Sequence, residues 1–400
     1  MPRFNLLIVL VGVVGLGCFW DAAHAQIPEG YELIQITFDP EYYDRFASMN
    51  NCGQIAICKK MGPSWNDAEI LVYDNGRTTR LTFNNIKDRV PLLNNSGMLV
   101  WCRGDGYDTQ ILEWAPEGEQ LIIEAPFTLM TEDLNDSGQL LWTEFYGTGC
   151  AISDSDVFIY LDRDSVRLTD GGYSSQGGGI NNQGHVVYTR YDFCPYPWES
   201  EIHFWTESSD SVISGTDQQY AQVPDINNLD QIVWDSGGGV DYVWFWENGK
   251  LTLLSDDGGV PRINDRGDVV FWRWHDSLNQ YHAHLWKAGI FYQLTSGSDW
   301  YYPQAINDLG EVVIRAQIQS EQRGDFWLLR RTRNGDVDEN GRVDLLDYRE
   351  FARCMTGPRD PAAFEFSLDN TLCDCRFVDL DEDDDVDLTD FSALQTKYDP

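Results

Sequence analysis

The sequence predicts an all-β fold, a seven-bladed β-propeller, followed by a small α-helical domain with calcium-binding loops. Two observations lead to this prediction. A motif that joins an apolar residue and Asn to a tight turn and an apolar strand recurs in steps of 37 to 46 residues, which is typical of propeller blades. Near the C-terminus the motif stops, and acidic residues alternate at the spacing of EF-hand-like loops.

The repeat motif sets the number of blades. The first Asn of each copy is one of Asn50, Asn94, Asn135, Asn181, Asn227, Asn264 and Asn307. Seven copies predict seven blades, with six or eight as the alternatives. Asn and Gly permit the positive φ that a tight hairpin needs, so the motif is interpreted as turn chemistry.

The residues between two copies predict four strands per blade. The segment before Ile-Asn forms the inner strand, and the Val-Val-Trp, Leu-Trp and Leu-Thr segments form the next three. After Asn307 the chain supplies 312–314 and 326–329 but no outer strand. The strand 31–37 is similar to the Leu-Thr segments, so it is expected to complete the last blade and remove a free sheet edge. The propeller then spans 26–331.

Residues 1–25 are expected to form a secretory signal peptide. Arg3 gives a positive start, the apolar run 6–19 is short for a membrane span, and Ala23 and Ala25 supply small residues before cleavage. The alternative is lipidation at Cys18. No other stretch of the sequence is long and apolar enough to span a bilayer. The mature chain is therefore expected to be secreted, extracellular or in the cell envelope.

The net charge and the number of cysteines limit the classes of binding partner and the compartment in which the chain works. The net charge of −37 argues against nucleic acid and anionic membranes, and it reflects either solubility or cation binding. Eight cysteines remain after signal removal, an even number that suits disulfides in an oxidising compartment. The expected pairs are Cys150 with Cys194, and Cys354 with Cys373 or Cys375, while Cys52 has no assigned mate.

Long connections lie on the face opposite the Asn turns, and they carry many aromatic residues. A ligand is expected there, because rigid scaffolds place binding residues on loops, and a polysaccharide would stack on the rings. The candidate ligand-binding residues are Tyr191, Trp198, Trp274, His275, Trp300 and Tyr301. The alternative is that these aromatic side chains pack between blades.

The phrases Pro261–Phe271 and Pro303–Ile314 carry a resemblance to secreted bacterial β-propellers with HAF-like or Kelch-like repeats, over residues 31–331. This resemblance implies an architecture rather than a reaction. The sequence contains no nucleophile elbow, phosphate-binding loop or zinc signature. The catalytic residues, if the chain is an enzyme, are therefore unknown from the sequence.

Two acidic loops, 336–347 and 379–390, place oxygen atoms where a calcium loop needs them. Val343 and Val386 stand at the same loop position, which a merely solvated acidic tail would not explain, and amphipathic helices 345–355 and 388–398 follow. The expected ligands of two calcium ions are Asp336, Asp338, Asn340, Arg342, Asp344 and Asp347 in the first loop and Asp379, Asp381, Asp383, Asp385, Asp387 and Asp390 in the second, with Arg342 and Asp385 contributing backbone carbonyls.

The paired loops and helices closely resemble a type I dockerin, over residues 332–400. The resemblance implies two calcium ions and docking to a cohesin-like protein, and docking onto the chain's own propeller is the alternative. Three features depart from the pattern. The loops start 43 residues apart, Asp384 replaces Gly at position 6 of the second loop, and Leu345-Leu346 and Leu388-Thr389 stand where dockerins often carry small hydroxyl residues.

Two functions follow from these observations. The preferred one is a secreted, non-catalytic binding or scaffold propeller, glycan-binding, that is tethered or assembled through a calcium-stabilised tail. The alternative is a carbohydrate-active enzyme, a polysaccharide lyase or glycoside hydrolase, with the propeller as its catalytic domain. His275 is the histidine to test for catalysis in that case.

Overall fold

The computed structural model describes residues 25–37, 44–62, 64–104, 108–115, 117–146, 155–161, 164–171, 173–192, 199–215, 220–237, 241–275, 279–318, 323–337, 341–355, 373–381 and 385–398. Residues 1–24 of the expected signal peptide, the ligand candidate Trp198, the loop residues Asp338, Asn340 and Asp383, and the cysteines Cys150 and Cys194 lie outside this set. None of the helices in the described part is both long and apolar enough to traverse a bilayer.

The strands form seven four-stranded antiparallel sheets, the blades. The first strands of neighbouring blades contact each other all around the ring, so they line a central channel. From the channel outwards, the strands are β2 (Asp44–Met49), β3 (Ile55–Lys60), β4 (Ala68–Asp74) and β5 (Arg77–Arg80) in blade 1; β6 (Lys87–Leu93), β7 (Leu99–Gly104), β8 (Gln110–Ala115) and β9 (Gly118–Glu124) in blade 2; β10 (Thr128–Leu134), β11 (Leu140–Phe145), β12 (Ser155–Leu161) and β13 (Asp164–Arg167) in blade 3; β14 (Ser174–Ile180), β15 (Val186–Asp192), β16 (Glu199–Thr206) and β17 (Ser209–Val212) in blade 4; β18 (Ala221–Ile226), β19 (Ile232–Gly237), β20 (Asp241–Glu247) and β21 (Lys250–Ser255) in blade 5; β22 (Gly259–Ile263), β23 (Val269–His275), β24 (Gln280–Lys287) and β25 (Ile290–Gln293) in blade 6; and β26 (Trp300–Ile306), β27 (Val312–Ile318), β28 (Arg323–Arg331) and β1 (Tyr31–Gln35) in blade 7.

The second strand of each blade is the most deeply buried, because each sheet stacks against the sheets on both sides. The residue seven positions after the repeat Asn lies near the middle of this strand and is at most 3% exposed in every blade. These residues are Ile57, Trp101, Trp142, Tyr188, Trp234, Phe271 and Ile314. The uninterrupted apolar segments of the sequence therefore correspond to strands packed between two sheets.

The N-terminal strand is the outer strand of blade 7. β1 pairs antiparallel with β28, with Leu33 opposite Leu329. The Thr37 hydroxyl then accepts a hydrogen bond of 2.8 Å from the Phe326 N–H. Thr82 and Thr295 accept the same bond from the third strands of blades 1 and 6, at 2.9 and 3.0 Å. Residues 31–37 thus occupy the position that the Leu-Thr segment takes in other blades.

The repeat Asn does more than shape its turn, which corrects the interpretation of the motif as turn chemistry alone. Within the turn, Asn50 Oδ1 accepts hydrogen bonds from the Cys52 and Gln54 N–H groups, at 3.0 and 3.1 Å. Its Nδ2 also donates to the carbonyl of Asn94 in the next blade, at 3.4 Å. Every repeat Asn repeats this donation, and the last step returns from Asn307 to Asn50 at 3.3 Å.

The residue after each repeat Asn forms a second closed ring. The Asn51 N–H donates to Asn95 Oδ1 at 2.7 Å, and the same link runs from blade to blade until the Asp308 N–H donates to Asn51 Oδ1 at 2.9 Å. An Asn or Asp at this position supplies the acceptor equally well. Two hydrogen-bonded rings therefore fasten all seven blades at the Asn-turn face.

The C-terminal unit, residues 332–398, contains the helices α1 (Leu345–Cys354) and α2 (Leu388–Lys397) and a 3-10 helix, Cys373–Phe377. Its apolar core includes Val343, Phe351 and Leu394, and the Cys354–Cys375 disulfide links α1 to the 3-10 helix. Cys52 also takes part in a disulfide, contrary to the expectation of no mate. Cys58 and Cys102 are buried thiols that form no disulfide.

Candidate functional site

Five aromatic rings gather on the side of blades 6 and 7 that faces away from the Asn turns. Tyr281 is their hub, with ring centroids 4.6 Å from Trp272, 4.8 Å from Trp274, 5.3 Å from Trp300 and 5.6 Å from Tyr302. All five side chains are half-buried, so each keeps part of its surface in solvent. We call these five residues the aromatic surface.

Strand pairing explains why the rings meet. Trp274 and Tyr281 are directly opposite each other in the β23–β24 ladder, and β26 brings Trp300 and Tyr302 alongside β24. The guanidinium of Arg315 lies 5.1 Å from the Tyr302 ring, a cation–π distance. Burial, with the neighbouring Tyr281, raises the pKa of Tyr302 to about 12, so its hydroxyl stays protonated at neutral pH.

A group of histidines lies beside the aromatic surface. The ring centroid of His282 is 5.2 Å from that of His275 and 5.8 Å from that of Tyr301. His282 is fully buried, and neither of its ring nitrogens has a hydrogen-bond partner. Burial, with the charge of His275, lowers its pKa to about 4, so the imidazole is neutral at pH 7. Among the described residues, His275, His282 and His284 do not form a metal-ligand group.

The structure brings together four of the six ligand candidates and separates a fifth. Trp274 and Trp300 belong to the aromatic surface, and His275 and Tyr301 border it through His282. The sequence suggested that they lie on loops, and this is wrong. They lie on strands, because the pairing of β23 with β24 and of β26 with β27 continues to Trp274 and Trp300. Tyr191 is the penultimate residue of β15 and lies apart from the aromatic surface, near the charged groups of Glu132 and Asp235.

The charged groups near Tyr191 are carboxylates that the sequence did not single out. Asp133 and Asp225 each stand two residues before a repeat Asn, at a β-bulge of the inner strand. Asp133 accepts from the Ile180 N–H of the next blade at 2.8 Å, and Asp225 accepts from the Ile263 N–H at 2.9 Å. Asp133 and Asp225 could have been recognised in the sequence from this shared position, two residues before a repeat Asn.

Burial raises the pKa of these carboxylates towards neutral pH. It raises the pKa of Glu132 to about 8, although hydrogen bonds from Thr143 and Gln176 act in the opposite direction. It raises the pKa of Asp133 to about 7, with a further contribution from the charge of Asp225. The pKa of Asp235 also rises to about 7. We call Glu132, Asp133, Asp225 and Asp235 the channel carboxylates; the first three stand on inner strands, and Asp235 stands behind them on β19.

Two neighbours complete this group. Arg262 follows Asp225 one blade further round, at the same position relative to the repeat Asn, and its charge counteracts the pKa increase of Glu132, Asp133 and Asp225. Burial, with the charges of Glu132 and Asp235, raises the pKa of Tyr191 to about 12. Carboxylic acids that retain a proton near pH 7 can donate it, so the channel holds potential general acids.

The two acidic loops of the C-terminal unit are built alike. Asp347 accepts from the Val337 N–H at 2.7 Å and from the Asp344 N–H at 2.8 Å. Asp390 accepts from the Leu380 N–H at 2.5 Å and from the Asp387 N–H at 2.9 Å. Asp344 and Asp387 in turn cap α1 and α2. The last carboxylate of each loop therefore ties the loop's start to the helix that follows it.

Only part of the expected ligand set can be placed. Carboxylate oxygens of Asp379, Asp381 and Asp390 lie within 4.8 Å of one another, as do those of Asp385, Asp387 and Asp390. In the first loop, Asp336 Oδ2 accepts from the Gly341 N–H at 2.9 Å, and Gly341 has a φ of +82° that suits glycine. Such hard oxygen donors are the type that calcium prefers.

Comparison with known proteins supports the fold alone. No protein-family model matches the sequence, and no curated protein matches it. The β-propeller domain of the Trilobed protease from Pyrococcus furiosus is similar in structure, with a TM-score of 0.55 and 12% identity over 72% of this chain and 95% of that one.

Two peptidases are similar over a comparable share of the chain. The acylaminoacyl peptidase of Pyrococcus horikoshii has a TM-score of 0.55 and 13% identity, over 75% of this chain and 53% of that one. A puromycin-hydrolyzing peptidase of Mycobacterium tuberculosis has a TM-score of 0.54 and 10% identity, over 74% and 53%. This chain spans about half the length of these two enzymes, and the likeness concerns the propeller architecture.

Proposed function

We propose that this chain is a non-catalytic propeller that binds polysaccharide on the aromatic surface. The observation that carries this proposal is the position of Tyr281, with four further rings around it and part of every ring in solvent. Sugar rings present apolar C–H faces that lose contact with water when they lie on aromatic side chains. Arg315 and the bordering His275 supply polar groups that would fix the orientation of the sugar.

The test is binding to a polysaccharide array, followed by titration calorimetry with the best oligosaccharide. Trp300→Ala and Tyr281→Ala should each weaken binding about ten- to a hundredfold, since losing the burial of one large apolar side chain costs about 1.5–3 kcal/mol. Phe83→Ala is the matched control, because Phe83 is an aromatic residue of blade 1 that is 73% exposed. Equal affinity of all three variants would contradict the proposal.

We further propose that two calcium ions stabilise the C-terminal unit and that this unit resembles a dockerin in function. The equivalent hydrogen bonds of Asp347 and Asp390 and the grouped carboxylates of the second loop support this proposal. Calcium would supply the charge balance for the converging carboxylates. Leu345 and Leu388 are 72% and 73% exposed at the starts of α1 and α2 and would face a cohesin-like partner.

A second candidate function is polysaccharide cleavage in the channel. The specific observation in its favour is the raised pKa of Glu132, about 8, next to Tyr191 and Arg262. A protonated Glu132 could serve as a general acid for a leaving sugar oxygen. Release of oligosaccharides by the wild-type chain, with loss of that activity in Glu132→Gln, would favour this function. Binding without product in both proteins would exclude it for the polysaccharide tested.

A further inference from the structure

We propose that the C-terminal unit is a clasp that holds blade 7 against blade 1 on the Asn-turn face. This junction differs from the other six, because the outer strand of blade 7, β1, continues along the chain into β2 of blade 1 but has no direct peptide connection to β28 of its own blade. The ring hydrogen bonds from Asn307 and Asp308 cross it, and β1 completes blade 7 from the other end of the chain. The role is independent of polysaccharide binding, which is proposed for the opposite face.

Arg376 is the first link of the clasp. Its Nη2 donates to Glu311 Oε2 in blade 7 at 2.7 Å and to the carbonyl of Asn51 in blade 1 at 3.3 Å. Glu311 is 2% exposed, so this ion pair is shielded from solvent. The guanidinium passes so close to Gly53 that any side chain there would collide with it. One arginine of the C-terminal unit therefore contacts both sides of the junction.

Asp379 is the second link. Its Oδ2 accepts from Arg333 Nη1 at 2.8 Å, just after the end of β28, and from Asn75 Nδ2 at 3.4 Å in the outer turn of blade 1. The side chains of Asp379 and Arg333 are 4% and 8% exposed. A single carboxylate thus joins the segment leaving blade 7 to blade 1.

Phe377 and Arg331 extend the contact. The Arg331 guanidinium, at the end of β28, lies 4.3 Å from the centroid of the Phe377 ring. Arg331 Nη2 also donates to the carbonyl of Asp336 at 2.7 Å. These contacts hold the start of the C-terminal unit on the same side of the ring as Arg376, so the unit cannot swing away without breaking several buried bonds.

A covalent bond fits the same position. Cys52 stands in the turn that Arg376 contacts, and it takes part in a disulfide. The C-terminal unit has three cysteines, and Cys354 and Cys375 are bonded to each other. A disulfide from Cys52 to this unit must therefore use Cys373, and we include that bond in the proposal.

Hydrogen exchange of the full chain tests the clasp. Arg376→Gln should make the amides of residues 51–54 and of β1 exchange at least tenfold faster, because both report opening of the junction. Asn75→Gly removes one contact of Asp379 while keeping the positive φ of residue 75, 47°, and should give a smaller effect in the same direction. Arg353→Gln is the control, since Arg353 pairs with Glu350 on the exposed side of α1.

Near-ultraviolet circular dichroism verifies that each variant retains its packed tryptophans, so that a global folding defect is recognised. Unchanged exchange at both segments in folded Arg376→Gln would overturn the clasp. Peptide mapping without reductant tests the covalent part: a Cys52–Cys373 peptide is expected, and any other partner of Cys52 would overturn it. Polysaccharide affinity should remain at the wild-type value in Arg376→Gln, which separates this proposal from the proposed function.

Discussion

Glu132 Oε1 accepts a hydrogen bond of 2.6 Å from the hydroxyl of Thr143 in the adjacent strand. The Thr143 hydroxyl oxygen accepts in turn from the Gly177 N–H of the next blade at 3.0 Å. The orientation of the hydroxyl is therefore fixed, with its hydrogen directed at the carboxyl group. The position of the Glu132 side chain therefore depends on the contact between blades 3 and 4.

Replacement of Glu132 by Gln should change how stability depends on pH. The pKa of Glu132 rises from 4.5 to about 8 on folding, so between these values the folded chain keeps a proton that the unfolded chain has released. Stability from this group is full below pH 4.5 and falls as the pH rises towards 8. The melting temperature of Glu132→Gln relative to wild type should therefore increase from pH 4.5 to pH 8.5.

Thermal unfolding at several pH values checks this, with Glu117→Gln as the control because Glu117 is exposed on a turn. A difference between Glu132→Gln and wild type that stays constant over this range would show that Glu132 does not carry the raised pKa.

Loss of one repeat Asn should destabilise the whole propeller. In Asn135→Ala, the Asn181 carbonyl loses one of its two donors, and the N–H groups of Ser137 and Gln139 lose their acceptor. Leaving buried polar groups unpaired costs about 1–3 kcal/mol each, and the turn can recover part of this through water. A decrease of roughly 2–4 kcal/mol in the free energy of unfolding is expected from urea titration. Ser137→Ala, in the same turn but exposed, should lie within about 0.5 kcal/mol of wild type.

Removal of the Cys354–Cys375 disulfide should affect the C-terminal unit first. The bond closes a loop with a sequence separation of 21, for which the chain-entropy model predicts about 3 kcal/mol of stabilisation. In Cys354→Ser/Cys375→Ser, amides of α1 and α2 should lose protection against exchange while those of blades 3 to 5 keep theirs. Loss of protection throughout the ring would mean that the disulfide supports the propeller as well.

Calcium should raise the melting temperature of the C-terminal unit, because a ligand that binds only the folded state adds about 2.7 kcal/mol at a concentration 100 times its Kd. Asp336→Ala should remove the part of this response that comes from the first loop, and Asp336→Ala/Asp379→Ala should remove all of it. The exposed Asp164 of β13 provides a control, Asp164→Ala. A calcium response that survives the double substitution would refute the assignment of these ligands.

The sequence predicts the architecture well because every blade repeats the same short pattern of turn and strand residues. The positions of Asn50 to Asn307 set the blade count, and the apolar residue seven positions later marks the buried strand. The candidate site is harder to predict. The inner-strand bulges bring Asp133 and Asp225 into one electrostatic group, and a bulge shifts register without changing the apolar pattern. The burial of His282 likewise depends on Tyr301, a residue of the neighbouring blade.

All the ring hydrogen bonds run in one rotational sense, from each blade to the blade that follows it in the sequence. Each blade therefore gives one donor and one acceptor to each ring, and no blade has a special partner. A duplicated blade inserted at any junction could form the same ring hydrogen bonds with the blades on both sides. Growth or loss of whole repeats is thus compatible with this closure chemistry.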